Sequence, residues 1–87
     1  MLFGEVWSRE KEMSLHDRSM ITVAALMGMG ALPQLEAHIK LAKQHGVTRD
    51  EIVEEITHLA FYTGWPRAWS AFSIVKQVYG EGEQEKD

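Results

Sequence analysis

The residues of this sequence able to carry acid–base or binding chemistry are few. His38 sits in "LEAHIKLA" with Leu35, Ile39 and Ala42 as helical neighbours, which points its imidazole toward a buried or half-buried face. Imidazole titrates near neutral pH, so a histidine placed there is either a proton carrier or a hydrogen-bonded interior residue. Arg18 falls in the first turn of a very apolar segment, where its charge opposes the helix macrodipole at a cost of about 0.5 kcal/mol. That position calls for a specific anionic partner: a substrate, or a protein acid such as Asp17, Glu12 or a carboxylate of another subunit. His58 has Glu54 and Tyr62 one turn away on either side and Glu55 three residues before it. "EITH" is therefore a Glu-x-x-His pattern, which contributes to di-iron sites in ferritin-like bundles. Those sites need two such motifs and two further inward glutamates, so no metal is expected from this single copy. His58 is read instead as a pocket-lining residue bonded to Tyr62 or a carboxylate.

Tyr62, Trp65, Trp69 and Phe72 gather around the breaker pair Gly64 and Pro66. This aromatic corner is read mainly as packing within or between subunits, with His58, Tyr62 and Trp65 contributing to a pocket. His16 and His45 are expected at exposed loops or helix ends. Asp50, Glu51, Glu54 and Glu55 are expected to form a helix first turn and a solvated face.

The elements that must position these groups read as helices throughout. Leu2, Phe3, Val6 and Trp7 share one side of a short helix over about Phe3 to Arg9. Ser14 and Asp17 have the spacing of a capping box and open a second helix from Leu15 to about Gly28. It stops at the glycine pair in "GMGALP". Pro33 suits the first turn of a third helix ending at Gly46. Thr48 and Glu51 open a fourth, "RDEIVEEITHLAFYT", closed by Gly64, and Pro66 starts a fifth, "PRAWSAFSIVKQVY". No run alternates between hairpin turns, so the fold class is all-α. Residues 1–80 form a single domain, and the polar, glycine-punctuated 81–87 is a tail expected to fray.

Composition narrows the function. None of the 87 residues is cysteine, which excludes disulfides, thiolate metal sites and thiol redox chemistry. A net charge of −4 without a basic stretch gives nucleic-acid binding no electrostatic footing. The longest apolar run, Met20 to Leu32, is too short to span a bilayer, and no signal-peptide layout opens the chain, so a cytoplasmic protein without a membrane partner is expected. Methionines 13, 20, 27 and 29 read as adaptable packing.

The motifs "DRSMITVAAL", His38-x₃-Ala42-x₃-Gly46, "GVTRDEI" and "YTGWPRA", in this order, resemble the carboxymuconolactone decarboxylase family within the alkylhydroperoxidase D-like superfamily. The resemblance covers roughly residues 4 to 80. It implies an all-helical fold whose protomers intertwine into homotrimers or homohexamers. The peroxidase branch carries C-x-x-C-x-x-H, and the two cysteine positions are here Leu32 and Leu35, so thiol peroxidase activity is not carried over. An arginine in "DRS" looks like the decarboxylase branch, a lyase that acts on γ-carboxymuconolactone, a small polyanionic lactone from the breakdown of the aromatic acid protocatechuate. The reaction loses carbon dioxide and moves a proton on the ring. The resemblance thus implies Arg18 as the carboxylate holder and His38 as the proton-exchanging group, with no metal or organic cofactor. The chain is expected to start at an internal point of the full-length decarboxylases, without the N-terminal segment that helps close their site. The alternative is a non-catalytic oligomeric binding or scaffold protein retaining the fold.

From Met20 to Met29 every position is apolar or small. A helix without a polar face must be covered on all sides. Four short companions can hardly enclose it, so other copies are expected to complete the cover in an obligate homo-oligomer. Sedimentation at micromolar concentration should show no folded monomer; a stable single subunit would overturn this expectation.

Overall fold

The computed structural model describes residues 2–80, with side chains from Gly4 onward. Five helices follow in order: α1 (Leu2–Trp7), α2 (Leu15–Met29), α3 (Leu32–Gln44), α4 (Arg49–Thr63) and α5 (Trp65–Tyr79). No strand occurs among the described residues, and none of their helices is long and apolar enough to cross a membrane. The all-α expectation holds, with small shifts at the ends. α1 stops at Trp7 rather than Arg9, α2 runs one residue past Gly28, and α5 begins at Trp65 rather than Pro66. The tail 81–87 lies outside the described residues.

The caps explain these boundaries. The Ser14 hydroxyl accepts from the Asp17 N–H at 3.1 Å, and Thr48 and Glu51 exchange both bonds of a full capping box. Each such cap stabilises its helix by about 1 kcal/mol. Asp17 does not return the bond to Ser14, because its carboxylate turns to His16 at 2.9 Å. α2 ends on Gly30 in the left-handed region at φ 72°, and Arg67 donates to the Gly28 carbonyl there at 2.9 Å. A guanidinium at a helix C-terminus complements its dipole. It also sits 3.2 Å from where a Gly30 Cβ would be, so a side chain there would displace the guanidinium slightly, while the positive φ is what favours glycine. Gly64, at φ 99°, is the single residue between α4 and α5.

The core lies where α2, α3, α4 and α5 meet. Val23, Met27, Leu35, Ile39, Ala42, Ile52, Ile56, Ala68 and Ala71 are buried there at helical spacing. The principal packing pairs are α2 with α3 and α4 with α5, and α1 takes part in none of the main helix contacts. Tyr79 closes the far end by donating its hydroxyl to the Val47 carbonyl at 2.8 Å. Burial, aided by Glu51 and Glu55, pushes that phenol up to about 12.

His16 lies at a helix end near the surface, as expected, and is paired there with two carboxylates. Its Nδ1 lies 2.9 Å from Asp17 Oδ1 and its Nε2 2.9 Å from Glu51 Oε1, joining the first turns of α2 and α4. Only the imidazolium can donate from both nitrogens. The hydrogen bonds to Asp17 and then Glu51 raise the His16 pKa above its ordinary 6.5. Its Thr48 backbone bond, then His16, lowers that of Glu51 below 4.5. A raised histidine contributes stability below its unfolded value that is lost as pH rises through the folded one. A lowered glutamate contributes stability above its unfolded value that is lost on acidification. The link is therefore strongest between pH 4.5 and 6.5. Thermal melts of the wild type should show a steeper decline above that window than those of His16→Gln, which keeps the contribution of other groups; identical profiles would mean the link does not hold the helices.

Candidate functional site

Arg18 is held in the first turn of α2 by the Ser14 cap. Its Nη2 donates to the Arg9 carbonyl at 2.9 Å, while its Nε is buried and has no hydrogen-bond partner among the described residues. The nearby acids are used elsewhere: Asp17 on His16, and Glu12 on Arg9 at 3.8 Å. No carboxylate pairs with Arg18 among the described residues. The side chain lines a cavity of about 210 Å³ with Val6, Trp7, Met13, Ile21 and Thr22. One guanidinium in mostly apolar walls is a setting that strengthens attraction for an anion.

Trp7 connects this cavity to His38. The Trp7 ring lies 6.1 Å from the His38 ring and 5.7 Å from the His45 ring, centroid to centroid. The two histidines stand two turns apart on α3, hence on one face. His38 is half-buried, as its neighbours Leu35 and Ile39 require. His45 is not the exposed helix end expected. Its Nδ1 lies 2.9 Å from the Oγ of Ser19, which is fully buried on the core side of α2. A buried hydroxyl is costly unless bonded, and His45 supplies that bond.

His58 stands elsewhere. It lines an open groove of about 680 Å³ with Met20, Asp50, Glu51, Glu54, Glu55 and Leu59. Met20 follows Arg18 by two positions, about 200° around α2, so the groove and the Arg18 cavity occupy opposite sides of that helix. Four carboxylates line it, an environment that repels anions. Tyr62 stacks on His58 at 5.2 Å but is 76% exposed, and Trp65 is 45% exposed. Neither lines the groove or the Arg18 cavity. Within one chain, then, the residues Arg18 and His38 are linked through Trp7, while His58, Tyr62 and Trp65 are not brought to them. Among the described residues no three His, Asp or Glu side chains converge as a metal site would need.

The aromatic corner is open rather than packed within its own chain. Phe61 meets Trp65 edge-on at 5.7 Å across Gly64, Trp65 meets Trp69 at 6.3 Å, and Trp69 meets Phe72 at 6.0 Å. Phe61 and Trp69 are 76% and 65% exposed.

Glu55 also departs from the solvated face expected. It falls beside Ile52, Ile56 and Leu59 on α4, and its Oε1 is buried without a hydrogen-bond partner among the described residues. Burial pushes its carboxyl up from 4.5 to about 7. A carboxyl raised in the folded state contributes stability below pH 4.5 that is lost as pH rises through about 7. Allowing for its partial exposure, the loss is about 1–2 kcal/mol. Urea melts at about pH 5 and about pH 8 should show this difference in the wild type and lose most of it in Glu55→Gln.

Comparison with known proteins bears on this arrangement. Residues 1–77 match the sequence pattern of the Carboxymuconolactone decarboxylase family. A 4-carboxymuconolactone decarboxylase of Acinetobacter baylyi is 36% identical over 77 residues, covering 88% of this chain and 57% of the relative. The nitrosuccinic acid decarboxylase npaB of Metarhizium robertsii is 30% identical over 79 residues, 91% of this chain and 54% of the relative. An uncharacterized 15.0 kDa protein of Paracoccus denitrificans is 33% identical over 87 residues, 98% of this chain and 64% of the relative. The chain thus spans little more than half the length of the two decarboxylases. With a match running through nearly every helix described above, the chain belongs to the carboxymuconolactone decarboxylase family.

Proposed function

We propose that the protein is a cofactor-free carboxy-lyase acting on a small anionic lactone-type substrate, with Arg18 and His38 at its centre. The observation that carries this reading is the half-buried Arg18 guanidinium, its Nε enclosed and unbonded, lining a mostly apolar cavity with no carboxylate paired to it among the described residues. Two relatives named as decarboxylases support the reaction class.

The chemistry follows from where charge must go. Loss of carbon dioxide breaks the bond between a ring carbon and its carboxylate, and the electron pair passes into the conjugated lactone carbonyl. One proton must then reach a ring carbon, and an imidazolium at His38 supplies it. Arg18 fits the carboxylate that is retained. Gripping the departing one would stabilise the ground state more than the charge-dispersed transition state. The apolar walls at Val6, Met13 and Ile21 suit the departing group, which leaves water and then leaves as a neutral molecule.

We also propose that copies associate through the aromatic strip. Phe61, Tyr62, Trp65 and Trp69 together leave on the order of 500 Å² of ring surface uncovered. A standard interface takes about 800 Å² from each partner, so the strip supplies more than half of one. In such a homotrimer or homohexamer, His58, Tyr62 and Trp65 would reach a substrate from a neighbouring copy, the route by which they join the site. The scaffold alternative predicts an interior with no cavity beside the family residues, and the cavity at Arg18 weighs against it.

Incubation with γ-carboxymuconolactone should release carbon dioxide. Arg18→Met should lower kcat/KM about 100-fold, with most of the loss in KM. His38→Gln should lower kcat by about 100-fold or more, with KM little changed. A folded wild type without turnover would favour the scaffold reading.

A further inference from the structure

Ser19 is the one fully buried polar side chain among the described residues, set in a helix that is otherwise apolar on that side. Alanine would favour the helix and pack there at no desolvation cost. The hydroxyl therefore answers a specific need, and the group it meets is His45 Nδ1 at 2.9 Å. His45 is otherwise fixed by its backbone, since it caps α3 and its N–H is bonded to the Leu41 and Ala42 carbonyls. With the chain fixed at Cα and one ring nitrogen tied to Ser19, the imidazole plane has little freedom left. The Trp7 indole leans on that plane and on His38 in the next two turns of the same face.

Trp7 in turn is a wall of the Arg18 cavity. It belongs to α1, which takes part in none of the main helix contacts, and the rings of His38 and His45 are contacts by which the bundle holds it. We infer that the Ser19–His45 hydrogen bond seats the Trp7 indole and through it shapes the Arg18 cavity, making Ser19 and His45 positioning residues that select a flat, unsaturated carboxylate. An indole held at a fixed tilt offers a planar conjugated acid a stacking face while Arg18 takes its charge. A flexible saturated acid gains the charge contact alone. The inference rests on the reading of the Arg18 cavity as the carboxylate site.

Two dicarboxylates serve as probes: cis,cis-muconate, which is planar and conjugated, and succinate, which is saturated and flexible. The indole N–H signal of Trp7 is assigned by its loss in Trp7→Phe, and those of Trp65 and Trp69 report whether the fold survives. The wild type should bind muconate more tightly than succinate. Ser19→Ala and His45→Gln should each move the Trp7 signal and reduce that preference about tenfold, and the double variant should do no more than the stronger single one, because the pair acts as a unit. A purely structural role would lower the melting temperature and weaken both acids alike. The inference is overturned if both variants keep the Trp7 signal and the muconate preference. If the wild type binds neither acid while the Trp7 signal still follows Ser19 and His45, the seating stands and the Arg18 carboxylate site falls.

Discussion

The rest of the structure depends on one constraint: from Met20 to Met29 α2 carries no charged side chain, yet its own chain covers that stretch only in part. Its own chain covers Val23 and Met27, while Ile21 and Met29 remain 55% and 69% exposed. An apolar helix is an inert partition. Polar groups on its flanks cannot neutralise one another through it, so each side keeps its own electrostatic character. The arginine survives on one flank without an acid, and the four carboxylates collect on the other.

That separation explains why two titratable groups stand out in opposite ways. Arg18 is deprived of a carboxylate because Asp17 and Glu12 are each engaged by a cation of their own. Glu55 Oε1 is left without a donor among the described residues, although His58 lines the same groove one turn along α4. The first leaves a fixed positive charge seeking an anion, and the second leaves a carboxyl that gives up its proton near neutrality. A histidine link between the first turns of α2 and α4 keeps the two flanks in register.

Signals carried by neighbours in sequence were legible, and those carried by distant pairs were not. Ser14, Thr48, Gly30 and Gly64 announce helix ends because a cap is made within a few residues, and the five helices follow from them. Arg18 and His38 could be singled out from their position on apolar helices and from family motifs. Ser19 and His45 meet across 26 positions and His16 and Glu51 across 35, so nothing local marked either pair. Glu55 was hidden by the acids around it. Its spacing from Ile52, Ile56 and Leu59 was the available sign that it turns inward. Trp7 read as one more apolar residue of a short helix, and its role appears only once α3 brings two imidazoles to it.

The joint at Gly64 has a consequence for assembly. Gly64 alone would permit a hinge, but α4 and α5 also form one of the principal packing pairs, so the two helices are held against swinging independently. The Phe61–Trp65 contact straddles this joint, so the rings of both helices form one preorganised plate rather than two mobile ones. A copy docking there would meet a surface already in its bound shape, and association would lose little conformational entropy on this side.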